Sequence, residues 1–174
     1  MELVKQDYEE NIKQYQGLEK KLKELLGDSI PIDHVGSTAI PKMKYGKNII
    51  DILIGAKDTI QFDKIKQILE REGYVASQKS KDNIYQFFSS TAEETRAGDV
   101  HIHLVILDTD RYQEFLILKK YLLSHEEEVK KYSEVKEMIL FQEQEIDRKT
   151  YKRKKSEYVS QLLIRAKKWS HDQE

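Results

Sequence analysis

The sequence predicts an α+β fold, a mixed β-sheet flanked by helices and followed by a helical C-terminal section. Three observations carry this expectation. Apolar residues recur with helical spacing in the first 26 residues and again after residue 58, whereas residues 31–35, 49–54, 74–77, 84–89 and 100–107 read as short strands. Everything after residue 110 returns to helical periodicity. No repeat, low-complexity tract or Gly/Ser linker interrupts the 174 residues, so one domain is expected, with residues 1–109 forming the N-terminal helix and sheet and 110–174 the helical section.

Taken in order, Tyr8, Ile12, Tyr15, Leu18, Leu22, Leu25 and Leu26 form the stripe of a helix over residues 3–26 that Gly27-Asp28 ends. Pro31 to Val35 is a short strand that turns through Gly36-Ser37. Pro41, Lys42, Lys44 and Lys47 fill a connection whose lysines surround the candidate anion site in sequence, a solvated basic loop being the plainer reading for Lys42 and Lys44, and Ile49 to Ile54 is the next strand. Asp58 or Thr59 caps a helix that runs to Gly73. Two strands follow, with Lys79 to Asn83 as their turn, then a loop over residues 90–98 and the strand Val100 to Leu107. Asp110 caps a helix that is apolar nearly all round. Residues 126–145 form an acidic helix with the stripe Val129, Tyr132, Val135, Met138 and Ile139. A basic final helix carries Tyr151, Tyr158, Leu162 and Trp169 on one face.

Lys plus Arg 30 against Asp plus Glu 31 leaves a net charge of −1, which gives no global field to recruit nucleic acid or an anionic membrane. A nucleic-acid partner is therefore not expected. The chain has no cysteine, no segment resembling a signal peptide and no apolar run of membrane-spanning length, so a cytoplasmic location is expected.

Polar residues in apolar strands supply the candidate site. Asp51 sits in the middle of Ile49 to Ile54, where an ionised carboxylate costs several kcal/mol unless a cation or a donor meets it. Gly36, Ser37 and Thr38 form a small-residue turn whose N–H groups suit a phosphate. His101 and His103 alternate on one strand, so both imidazoles share a face. By the same parity Asp51 shares its face with Ile49 and Leu53. If the two faces match in one sheet, the acid and both imidazoles converge, and the cluster suits a divalent cation, an acid–base pair or a phosphate. A hydrogen-bonded structural pair of histidines is the plainer reading. Lys155 falls on the apolar stripe of the last helix and Lys119 on that of an earlier one, so each ammonium either points inward or snorkels to the edge.

His34-Val35-Gly36-Ser37-Thr38-Ala39-Ile40-Pro41, followed by Lys47 and Ile49-Ile50-Asp51-Ile52-Leu53, resembles the signature of the GrpB family, which is assigned to the nucleotidyltransferase superfamily. His101-Ile102-His103-Leu104, Tyr121-Leu122 with His125, and Asp147, Tyr151 and Lys155 extend the likeness along nearly the whole chain. Lys42, Asn48 and Gly98-Asp99-Val100 depart from the pattern. The resemblance implies a nucleotidyltransferase-like fold and the binding of a nucleotide or other phosphorylated small molecule. It also implies nucleotidyl transfer with a divalent metal (Mg, Mn or Zn), in which Asp51, His101 and His103 are catalytic and metal-binding. Gly36, Ser37, Thr38, Lys47 and Lys155 would then hold the substrate phosphates. Ile49 stands where the superfamily places a further carboxylate, so the remaining donors suit Zn²⁺ or Mn²⁺ better than Mg²⁺. Two alternatives follow: a non-catalytic folding-accessory or partner-binding domain, as in fusions to dephospho-coenzyme A kinase, with a coenzyme A biosynthesis enzyme as partner; and a metal-dependent phosphohydrolase.

Overall fold

The computed structural model describes residues 4–90, 99–141 and 148–173. Strand β1 (Val4–Lys5) precedes helix α1 (Tyr8–Leu26), which Asp7 caps by accepting from the Glu10 N–H at 3.1 Å. The first turn predicted as helix is thus a strand, paired antiparallel with β3 (Tyr45–Gly46) inside the Lys42–Lys47 connection. Two-residue strands carry no periodicity, which is why neither shows in the sequence pattern.

The main sheet contains β2 (Ile32–Val35), β4 (Ile50–Ala56), β5 (Val75–Lys81), β6 (Tyr85–Ser89) and β7 (Val100–Ile106), in the order β2-β4-β7-β6-β5. Only β4 and β7 run parallel, so the sheet is mixed. Strand β5 runs on through Lys79 to Lys81, residues predicted as turn, and absorbs the excess length in an irregularity between Ala76 and Lys81. The predicted loop over 90–98 lies outside the described residues except for Ser90.

Helix α2 (Thr59–Arg71), capped by Asp58, covers one face of the sheet together with α1. Leu22, Phe62, Ile65 and Leu69 pack there against Ile52, Ile54, Ile102 and Leu104. Each such aliphatic side chain withdrawn from water contributes about 1.5–3 kcal/mol. The opposite face, carrying Val35, Leu53 and Val105, is covered by α3 (Asp110–Ser124) through Tyr112 and Phe115. Thr109, rather than Asp110, caps α3. Helices α4 (Glu126–Phe141) and α5 (Arg148–His171) pack beside α3 around Tyr121, Tyr132 and Leu162, together with Ile40 and Met43 from the connection after β2. The end of the predicted acidic helix, residues 142–145, lies outside the described residues.

Lys42 and Lys44 pair with Glu126 (2.7 Å) and Glu137 (3.5 Å) of α4. These two lysines therefore join the connection to α4 and stay outside the site. Among the described residues no helix is long and apolar enough to cross a membrane.

Candidate functional site

Parallel pairing of β4 with β7 sets Asp51 opposite His101 and Leu53 opposite His103, all on the α3-covered face. The His103 Nε2 lies 3.3 Å from Asp51 Oδ1, and the His101 Nδ1 faces the same oxygen at 3.5 Å. With the His103 ring neutral, Nε2–H donates to the carboxylate and Nδ1 accepts from the Tyr85 hydroxyl at 3.0 Å. Burial pushes the Asp51 carboxyl upward, but the bonds from His101 and His103 outweigh it and hold the group well below the usual carboxylate range. Asp51 is thus an oriented, ionised carboxylate. The His101 Nε2 is buried without a hydrogen-bond partner among the described residues.

The turn after β2 brings small residues against this carboxylate. Gly36 sits at φ 73°, and a Cβ there would stand 2.5 Å from Asp51 Oδ2, so only glycine fits both the backbone and the space. The following 3-10 turn, Ser37–Ala39, uses the N–H groups of Ala39 and Ile40, leaving those of Ser37 and Thr38 outside its own hydrogen bonding. Ser37 lines cavities that also reach Asp51. The Thr38 side chain does not join them. Its hydroxyl is buried, donates to the Ile49 carbonyl at 3.2 Å and meets His34 Nε2 at 2.9 Å, so only the Thr38 N–H is placed to meet a phosphate, as the turn reading expects.

Three cavities border the cluster. One of about 570 Å³ is walled by Tyr85, Phe87, His101, His103, Tyr151 and Lys155, among others. A second, of about 470 Å³, lies between the sheet and helices α3 and α5 and is bordered by Gly36, Ser37, Asp51, Lys119 and Lys155. A recess of about 120 Å³ contains Ser37, Lys47, Asp51, His101, Lys136 and Lys155 on its walls. Lys155 borders all three and is half-buried. Lys119 and Lys155 make no ion pair or side-chain hydrogen bond among the described residues.

Lys136 was not singled out by sequence pattern. Its ammonium is almost fully buried, donates to the Tyr45 carbonyl at 3.3 Å and lies 4.4 Å from the centre of the Tyr132 ring. Burial, with repulsion from Lys155, lowers its pKa to about 7 against the pull of Asp51. Its position four after Tyr132 and seven after Val129 was the available signal. Tyr85 and Phe87 were equally legible as alternate residues on β6.

Residues 2–165 match the family model described as GrpB protein. The chain belongs to the GrpB family. It is 23% identical over 147 residues to a UPF0157 protein of Streptomyces coelicolor, covering 84% of this chain and 74% of that one. It is 24% identical over 151 residues to the UPF0157 protein YqkA of Bacillus subtilis, covering 86% of this chain but 43% of the relative, so the GrpB chain spans less than half of YqkA. The crystal structure of the conserved protein GrpB from Enterococcus faecalis superposes with a TM-score of 0.77 at 18% identity over 97% of this chain and 99% of the other. The poly(A) polymerase complex GLD-2–GLD-3 gives 0.52 at 16% identity, over 76% of this chain and 45% of the matched one. The GrpB fold therefore resembles that of a nucleotidyltransferase.

A metal does not fit the donor set as arranged. Both imidazoles engage the same oxygen, Asp51 Oδ1, through a nitrogen at 3.5 and 3.3 Å, and Ile49 lines the recess beside Asp51. Among the described residues no three His, Asp or Glu side chains are grouped to hold a metal ion. The metal-ligand expectation for Asp51, His101 and His103 is thus not matched by their geometry, although the three groups do meet.

Proposed function

We propose that this GrpB protein binds a nucleotide or another phosphorylated small molecule between the sheet and α5. The observation that carries this reading is the set of lysines Lys119, Lys136 and Lys155 that line the cleft around Asp51, the one carboxylate among its described wall residues. Among the described residues Lys119, Lys136 and Lys155 make no ion pair and outnumber Asp51, which favours a multiply charged anion. Ser37 and the turn amides donate to phosphate oxygens, and Lys155 neutralises them. Tyr85, Phe87 and Tyr151 offer flat apolar surface for the organic part, in a cavity of the volume small-molecule sites use. Asp51, ionised and aimed by its imidazoles, orients a hydroxyl of the ligand as a hydrogen-bond acceptor.

Ile49 supports a second reading, a domain that keeps the fold for binding a protein partner such as a coenzyme A biosynthesis enzyme. Its side chain stands beside Asp51, where a further acid would be needed for two-metal transfer.

Thermal-shift and calorimetric titration with the four nucleoside triphosphates and pyrophosphate, with and without Mg²⁺, Mn²⁺ or Zn²⁺, test the first reading. At a hundredfold excess over Kd, a true ligand stabilises by about 2.7 kcal/mol, a rise in Tm of roughly 5–10 °C for a chain of this size. The shift should not require metal and should fall sharply in Lys155→Ala. Absence of any shift across the panel rejects ligand binding and leaves the partner-binding reading.

A further inference from the structure

The recess beside Asp51 differs from the two larger cavities in size and in charge. At about 120 Å³ it is too small for a nucleoside. Its walls bring Lys47, Lys136 and Lys155 to one carboxylate, with Ser37 as a neutral donor. When Lys136 carries its proton, Lys136 and Lys155 together outweigh Asp51, the one carboxylate among the described residues of the recess. The larger cavity of about 570 Å³ shares Lys47, His101, Tyr151 and Lys155 with it, so the two adjoin at these residues. Lys136 is the buried member of the set. It donates to the Tyr45 carbonyl and lies over the Tyr132 ring, and it makes no ion pair among the described residues, Asp51 acting on it only from across the recess.

Resting on the reading of a phosphorylated ligand, we propose that this recess seats the terminal dianionic phosphate of a phosphomonoester. Lys136, at its floor, is the residue that recognises the second negative charge. The organic part of the ligand extends through the shared wall toward Tyr85 and Phe87. A phosphodiester carries one charge and a second substituent, and it fits neither the charge nor the volume.

The seat makes affinity depend on pH in a defined direction. Groups facing Lys136 are Tyr45 from β3, Asp51 from β4, His101 from β7, Lys155 and Tyr151 from α5, Tyr132 from α4 itself, and Ser37 and Lys47 from the connections. Without ligand, burial and Lys155 hold Lys136 at about 7, and an incoming dianion favours its charged form. Binding near neutral pH therefore takes up a proton. Affinity should rise until the second ionisation of the phosphate, near pH 6, is complete. It should fall above pH 7 as the free amine loses its proton.

Calorimetry with phenyl phosphate and methyl phenyl phosphate, which share a ring and differ in one charge, tests the assignment. The wild-type protein should bind the monoester tighter by a factor on the order of ten or more. In Lys136→Met, and in Lys136→Gln as a second variant, that ratio should fall toward one and the decline in affinity above pH 7 should disappear. Removing a buried charge does not threaten the fold, so both variants should melt at or above the wild-type temperature. Equal wild-type affinities for the two esters overturn the assignment, as does a ratio that survives in both variants. Nucleotide binding without monoester preference removes the dianion seat but leaves the phosphorylated-ligand reading intact. Failure of every phosphorylated probe removes both.

Discussion

His34 shows how one ring can set the acid limit of the fold. It is 4% exposed, stacks on Tyr15 at 4.6 Å and gives Nε2–H to Thr38, while its Nδ1 has no hydrogen-bond partner among the described residues. Burial, then the nearby Lys119, lowers its pKa to about 4 against the opposing pull of Asp51. Between pH 6.5 and 4 the unfolded chain binds a proton that the folded ring refuses, so stability falls as pH falls through that window. The loss should reach roughly 3 kcal/mol by pH 4. Urea denaturation across this range should show that slope in the wild type, and His34→Gln should lack it. Gly36 is the second residue of consequence. Gly36→Ala must adopt φ 73° and push its Cβ into Asp51, which should cost about 2 kcal/mol or more. The added Asp51→Ala change should recover the steric part alone, a coupling that a double-mutant cycle measures.

Among the elements, α4 departs furthest from its expected stripe. Hydropathy favours Val135, Met138 and Ile139, yet Met138 is 47% exposed, while Val129, Tyr132, Ser133 and Lys136 are buried. A lysine and a serine on a core stripe read as polar, although Lys136 buries four methylenes and Ser133 accepts from the Lys44 N–H at 3.2 Å. The helices are tied by Glu128, which receives Arg165 through two 3.0 Å bonds and the Tyr121 hydroxyl at 3.2 Å. Burial raises the Glu128 carboxyl, and the Arg165 bonds bring it below its ordinary value. Its contribution is therefore present at neutral pH and lost in acid. Because the Arg165 side chain is 40% exposed, Glu128→Gln should cost about 1–2 kcal/mol rather than the full price of a buried pair, read as a lowered urea midpoint.

At the scale of the molecule, the helical and strand periods were enough to place most elements and to put Asp51, His101 and His103 on chemically marked faces. Alternation assigns faces but not neighbours. That β7 lies beside β4, parallel and with Asp51 level with His101, depends on a pairing across some fifty residues that no local pattern encodes. Lys155 was visible because it interrupts an apolar stripe, whereas Lys136 was hidden among charged neighbours on an acidic helix. That the Thr38 hydroxyl turns away to Ile49 and His34 was not legible, because composition does not reveal which way a hydroxyl points.

The acid and its imidazoles ride on strands fixed by main-chain pairing, whereas Lys119, Lys136 and Lys155 come from three separate helices. An occupant of the cleft would act as a bolt between two parts of the chain, each holding half of its contacts. Backbone amide exchange in α4 and α5 should slow on saturation far more than in β4 or β7, whose ladders are already closed.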